Sequence, residues 1–223
     1  MKTTAILSFA ALVASALAFR APEASMKGSP YCLPTCPVSG EKLGEGAVTI
    51  VVEDASNKAN DGREIKFCCS KCAAKFKADQ ATILKKVDEA MIKEQLKWYP
   101  DASCVVMPDD KLPDPRGADA MEAKNIVVQN QLVRLCCGKC VKKVQANPDA
   151  WVKKVQEQVI AAQKPGYPLD TCIISGEKLG DSPVDTVIGS RLVRTCCGKC
   201  AAKVKADPQA AFAKLDEIGR AHV

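Results

Sequence analysis

Histidine is almost missing from this chain: of 223 residues one is histidine, His222. That removes the most frequent general acid/base and the most frequent metal ligand among side chains. The carboxylates are scattered, and nothing in the sequence points to an enzyme. Aromatics are scarce too, at 4 % with two Trp, three Tyr and five Phe, so rings do little to build a large apolar core. Blocks of one charge are absent. The 32 Lys and Arg are interleaved with 26 Asp and Glu, and the net charge of +6 is that of a solvated, lysine-rich surface. The long basic block that would mark a nucleic-acid partner is not there. Beyond the first 18 residues no apolar run approaches the roughly 20 residues of a membrane span.

What the chain has is cysteine, thirteen in all, in a triplicated pattern. Nine lie in Cys68-Cys69-Ser70-Lys71-Cys72, Cys136-Cys137-Gly138-Lys139-Cys140 and Cys196-Cys197-Gly198-Lys199-Cys200. One more stands upstream of each stretch, Cys36, Cys104 and Cys172, preceded five residues earlier by Tyr31, Tyr99 and Tyr167, the only tyrosines. Each repeat therefore owns four cysteines, and Cys32 is left over. The period divides the chain into a module at 31–97, a second at 98–164 and a third at 165–223. Units of that size bury little core alone and draw stability from a metal, a disulfide or a neighbour.

Ahead of the modules, residues 1–18 carry Lys2, an apolar run from Ala5 to Ala18 broken only by Ser8 and Ser15, and the ending Ala16-Leu17-Ala18. This is the pattern of a cleavable signal peptide, which predicts export. Cleavage there exposes Phe19-Arg20-Ala21-Pro22 at the head of a leader, 19–30, with a single acid, Glu23. That junction resembles the bipartite leaders of complex plastids, in which a transit segment beginning with Phe follows the signal peptide. The destination is the secreted state or such a plastid, and the two differ in redox state.

Each repeat reads in the same order. Tyr31–Gly44 is a knuckle, with Pro34, Pro37 and Gly40 opposing a helix. Ala47–Val52 and Arg63–Phe67 are strands about an Asn60-Asp61-Gly62 turn. Ala73–Lys77 begins a helix, and Gln80–Lys97 is a longer one with Ile83, Leu84, Val87, Met91 and Leu96 on one face. The second repeat has its knuckle at Cys104–Pro113, strands at 125–128 and 132–135, and a helix opened by Asn147-Pro148 with Trp151, Val155 and Val159 inward. The third has strands Val184–Ile188 and Arg191–Thr195 about Gly189-Ser190, then a helix from Asp207-Pro208 with Phe212, Leu215 and Ile218 apolar. The fold class this predicts is α+β: three tandem modules of knuckle, β-hairpin and helix, the order a treble-clef zinc finger requires.

In C-C-x-x-C the second and third cysteines form C-x-x-C, able to aim two thiolates at one ion from the first turn of a helix. The first and third, four apart, would share a face of a continuous helix. Either pair with the knuckle cysteine gives three sulfurs. The candidate ligands are thus Cys36, Cys68, Cys69 and Cys72; Cys104, Cys136, Cys137 and Cys140; and Cys172, Cys196, Cys197 and Cys200. A fourth position would fall to the other vicinal cysteine, a carboxylate or water for zinc, or stay vacant for copper(I). Cys32, with Cys36, supplies an extra candidate that would make the first site the most zinc-like.

Tyr167-Pro168-Leu169-Asp170-Thr171-Cys172, Ser175-Gly176-Glu177-Lys178-Leu179-Gly180 and Arg194-Thr195-Cys196-Cys197-Gly198-Lys199-Cys200 together resemble the heavy-metal-associated modules called TRASH and YHS domains. The resemblance covers most of residues 31–220 in three copies. It implies a treble-clef-like fold and a role in metal sensing, trafficking or resistance. It also implies the ligand sets Cys36, Cys68 and Cys72; Cys104, Cys136 and Cys140; and Cys172, Cys196 and Cys200. Two departures mark this chain: the vicinal cysteine is extra, and 31 residues separate knuckle from pair in the first two repeats but 23 in the third.

Two other chemistries use the same residues. Four cysteines per repeat also suit two disulfides each, with no metal, in an exported interaction scaffold with Cys32 unpaired. Lys71, Lys139 and Lys199 inside the motif could serve thiol exchange by lowering a cysteine pKa, but exchange of the thioredoxin kind needs a βαβ setting, and none is visible. The reading adopted is a non-enzymatic metal-binding protein with zinc, or alternatively copper(I), in each module. Its partners are metal ions, and its repeated surfaces could also meet a protein.

Overall fold

The structure, a computed structural model, describes residues 29–100 and 102–221, the side chains of 219–221 excepted. The signal peptide, the leader up to residue 28 and His222 lie outside those residues. Three antiparallel hairpins, each a separate two-stranded sheet, recur along the chain. They are β1 (Val48–Val51) with β2 (Glu64–Phe67), β3 (Lys124–Val128) with β4 (Gln131–Leu135), and β5 (Val184–Ile188) with β6 (Arg191–Thr195). Each hairpin leads into a short and then a long helix: α1 (Ser70–Ala78) and α2 (Gln80–Leu96), α3 (Gly138–Ala146) and α4 (Pro148–Gln163), α5 (Gly198–Ala206) and α6 (Pro208–Ala221). The α+β expectation and the threefold repetition hold.

Local chemistry explains the boundaries. The short helices start earlier than the apolar pattern suggests, at Ser70 rather than Ala73, because the preceding cysteine is extended (φ −158°, ψ 168° at Cys69) and the backbone turns directly from strand into helix. Each helix pair breaks at one residue: Asp79, Asn147 or Asp207 leaves helical geometry. The Asp79 carboxylate then accepts from the Thr82 N–H at 3.3 Å and Asp207 from Ala210 at 3.2 Å, which satisfies amides that open the next helix. Pro148 and Pro208 stand where a missing N–H costs nothing. Gln129-Asn130 and Gly189-Ser190 have positive φ at both positions, the two-residue turn that matches strand twist. The first hairpin closes through a longer loop pinned by the Asp54 N–H on the Asp61 carboxylate at 3.0 Å and by Gly62 at φ +77°.

The modules do not bury separate cores. The long helix of each packs on the hairpin of the next, α2 on β3 and β4, α4 on β5 and β6, and one continuous apolar cluster runs through all three. Val87, Met91, Leu132, Leu135, Val155, Val159 and Val193 are all fully buried in it. Each such side chain contributes roughly 1.5–3 kcal/mol relative to exposure, which is how small modules acquire the core that each lacks alone. A glutamine near the end of each of these long helices clamps the joint. Gln95 donates to Asn130 O at 2.9 Å and accepts from Leu132 N at 2.7 Å; Gln163 donates to Ser190 O at 2.8 Å and accepts from Leu192 N at 2.8 Å. The third module folds back on the first, where Gln209 donates to Cys32 O at 2.6 Å and Lys66 to Ala206 O at 2.6 Å.

Candidate metal centres

Three sulfur clusters occupy the junctions of knuckle, second strand and short helix. They are Cys36, Cys68 and Cys72; Cys104, Cys136 and Cys140; and Cys172, Cys196 and Cys200, and within each the Sγ atoms lie no more than 4.8 Å apart. In each, the knuckle cysteine and the helix cysteine are buried and the strand-end cysteine is half-buried. The remaining vicinal cysteine sits at the edge. Cys69 Sγ is 3.8 Å from Cys68 Sγ and Cys137 Sγ is 3.7 Å from Cys140 Sγ, while Cys69 and Cys197 are exposed.

The chain places these sulfurs by local means. An isolated bridge pairs Thr35 with Lys42, Ser103 with Lys111 and Thr171 with Lys178, curling each knuckle so that its cysteine faces the helix start. Cys36 N donates to Glu41 O at 2.8 Å and Cys172 N to Glu177 O at 2.6 Å, fixing the curl. The tyrosines brace knuckle and strand. Tyr31 donates to Thr35 O at 3.0 Å, and Tyr99 and Tyr167 accept from the Arg134 and Arg194 N–H groups at 3.4 and 3.0 Å. Spacing on one helix is not what joins the first and third cysteines of each C-C-x-x-C. Cys68 directly follows β2 and Cys69 is extended, so the strand-to-helix turn sets the Cys68–Cys72 distance of 3.7 Å.

Electrostatics favours a mixture of thiolate and thiol that a cation would resolve. Burial opposes ionisation of Cys36, yet the Ser39 hydroxyl and the N–H groups of Cys68, Ser39 and Val38 outweigh it and bring the thiol to about 6. Cys172 reaches about 6 in the same way, against burial, through Ser175 and the N–H groups of Ser175, Cys196 and Ile174. Cys104 is lowered against burial by the N–H groups of Cys136, Met107 and Val106. At the helix starts the N–H groups of Cys72, Cys140 and Cys200 draw Cys69, Cys137 and Cys197 below the ordinary thiol value. The third cysteine resists: burial and neighbouring sulfurs raise Cys200 to about 12, and burial raises Cys72 and Cys140. Packed thiolates repel, and a bound cation removes that penalty.

The geometry fits a metal better than a disulfide. All thirteen cysteines are free. Within C-C-x-x-C the S–S separations of 3.7–3.8 Å match the edge of a tetrahedron with metal–sulfur bonds of about 2.3 Å, which is about 3.8 Å, and the knuckle sulfur lies within 4.8 Å of both others in its cluster. They are far from the roughly 2.05 Å of a disulfide. Three thiols and one open side facing solvent suit a soft or borderline ion.

No protein-family model matches the chain, and no curated protein or solved structure is significantly similar to it.

Cys32 does not join the first cluster. It is buried where the third module meets the first, with the Gln95 amide 3.6 Å from its sulfur and the Gly189 backbone packed against it, and burial pushes its thiol to about 12. Lys71, Lys139 and Lys199 are exposed on the short helices. Knuckle residues outside the candidate ligand set also face the sulfurs. Ser39 Oγ is 3.3 Å from Cys68 Sγ and Ser175 Oγ is 3.5 Å from Cys196 Sγ; each hydroxyl also lies 3.3 Å from a carboxylate oxygen of Glu41 or Glu177. Glu177 is 3.7 Å from Cys196 Sγ, and the Asp110 carboxyl beside Cys136 raises that thiol. The recurrence of Ser-Gly-Glu-Lys-Leu in two repeats was the available signal.

Proposed function

We propose that this protein is a non-enzymatic metal binder that holds one ion in each of its three cysteine clusters. The observation that carries the reading is the threefold convergence of a knuckle cysteine with the first and third cysteines of C-C-x-x-C. Zinc fits best, because the S–S separations of 3.7–3.8 Å within C-C-x-x-C are those of a tetrahedron edge about an ion of its bond length, and copper(I) on three sulfurs is the alternative. For zinc the fourth position falls to the vicinal cysteine, which lies 3.8 Å from Cys68 in the first cluster and 3.7 Å from Cys140 in the second, or to the acid at position 41, 110 or 177. The order of knuckle, hairpin and helix supports a treble-clef-like reading in the manner of TRASH and YHS modules. The solvent-facing edge of each cluster supports metal handling over a purely structural role. Export through the secretory pathway completes the proposal.

Elemental analysis of the natively purified protein, with a thiol count under denaturing conditions, tests it. Three equivalents of metal with most thiols free are expected. No metal and at most one free thiol would refute the reading and establish a disulfide scaffold.

A further inference from the structure

The three clusters repeat in their cysteines but not in what surrounds them. In the first knuckle, Cys36 is followed by Pro37-Val38-Ser39-Gly40-Glu41, and in the third Cys172 is followed by Ile173-Ile174-Ser175-Gly176-Glu177. Both knuckles close in the same way: Gly40 N donates to Cys36 O and Gly176 N to Cys172 O, each at 2.8 Å, with both glycines at φ +76°. Both place the serine hydroxyl against the strand-end sulfur.

The middle knuckle has neither device. Cys104 is followed by Val105-Val106-Met107-Pro108-Asp109-Asp110, one residue longer. Met107 stands where the serine does, and a thioether has no proton to donate. Pro108 stands where the glycine does. Proline has no N–H to close the turn onto Cys104 O, and its ring fixes φ near −65°, away from the positive φ used in the other two knuckles. The loop is held instead by Asp110 N on Met107 O at 2.9 Å and Cys104 N on Asp110 O at 3.0 Å. Met107 is 45 % exposed and, like the exposed Ser39 and Ser175, stands at the solvent edge of its cluster.

From this difference, and resting on the metal-binding reading above, we infer that the middle cluster is the exchange site of the protein: it releases its ion first, while Ser39 and Ser175 act as positioning residues that hold the ion in the outer clusters. Each hydroxyl has one proton, within reach of both the sulfur and the carboxylate of Glu41 or Glu177; against a metal-bound thiolate only the hydroxyl can donate, and such a donor orients the sulfur and offsets its charge. Loss of such outer partners typically costs 10–100-fold in metal affinity. The chain thus carries two retained ions and one that can be passed on.

The test follows release of Zn(II) from the fully loaded protein to a chromophoric chelator in excess. One equivalent is expected to leave about 10–100-fold faster than the other two. Cys104→Ala should remove the fast equivalent and no other. Ser39→Ala with Ser175→Ala should accelerate the slow pair toward the fast rate, and the two threonine variants, which keep the hydroxyl, should not. Because Cys104→Ala could disturb folding, the converse exchange provides a second measurement: Met107→Ser and Pro108→Gly with Asp109 deleted should slow the fast equivalent to the rate of the others. A single release rate for all three equivalents, or loss of a slow equivalent in Cys104→Ala, would overturn the inference and leave metal binding intact. Failure to load any Zn(II) would overturn both.

Discussion

The joint between the first two modules turns on the Gln95 side chain, and replacing it tests how the repeats share stability. Gln95 is fully buried, and its amide satisfies two backbone groups of the second hairpin, Asn130 O and Leu132 N. Its oxygen also lies 3.2 Å from Ser190 Oγ and 3.3 Å from Gln131 Nε2, but those two groups retain each other at 2.9 Å. In Gln95→Met, a change of similar volume, Asn130 O and Leu132 N are left buried without this partner. At about 1–3 kcal/mol for each stranded group, the loss is about 4 kcal/mol, or about 8–16 °C in Tm for a chain of this size. Gln95→Ala should cost more than Gln95→Met, because a cavity adds to the stranded groups. Urea denaturation of the three proteins at equal metal loading measures both terms, and each variant should still bind the wild-type number of ions because no cluster spans two modules. A Gln95→Met protein within about 1 kcal/mol of wild type would refute the reasoning and show that the joint is held by apolar contact alone.

Cys72→Ser should lower the bound metal by one equivalent, whereas Cys69→Ser should keep the full number and bind one ion more weakly; native mass spectrometry under chelator competition separates the two. Asp88→Ala removes the ion-pair partner of the fully buried Arg63, which keeps Asn60 and Asn130 oxygens at 2.9 Å. The cost should fall at the low end of broken buried pairs, about 3 kcal/mol by denaturant titration. Gly189→Ala should destabilise by more than 1 kcal/mol, since the added Cβ would lie 2.8 Å from the Cys32 Cβ and Sγ. Backbone φ alone does not account for that cost, because Gln129 holds the matching turn position at φ 49°; Cys32→Gly in the same chain should therefore restore part of the loss.

Much of the local structure was legible because its signals are local. The strands Val184–Ile188 and Arg191–Thr195 follow from β-rich runs on either side of Gly189-Ser190. The helices at Pro148 and Pro208 follow from a capping residue with proline behind it. The early start of α1 escaped the apolar pattern because Ser70 and Lys71 are exposed and carry none of it. Cys32 misled for a related reason: its spacing from Cys36 is that of a ligand pair, but its partners, Gln95 and Gly189, are 63 and 157 positions away, and no short window shows them. The serines beside the sulfurs lay in a segment that turn chemistry already explained. Only comparison of the three knuckles separates the residues that make the turn from those that face the sulfur cluster.

Repetition and cysteine clustering solve different problems in this chain. The hairpins and long helices stack across module boundaries and are held by apolar burial, to which Cys36, Cys72, Cys104 and Cys140 also belong, and by the glutamine clamps, which contain no cluster sulfur. The knuckles reach the same apolar cluster through Tyr31 and Leu33 in the first, Tyr99 and Val105 in the second and Ile173 in the third. Each is curled by one short bridge within itself, and its cysteine meets the strand-to-helix turn at the sulfur cluster. A metal at the cluster would add a tie between knuckle and helix start, so metal loss would loosen the knuckle more than the stack. That separation is what a protein needs if it is to load and release ions without unfolding. The differences at positions 39, 107 and 175 fall on the exposed edges of the knuckles, outside the apolar cluster that joins the modules.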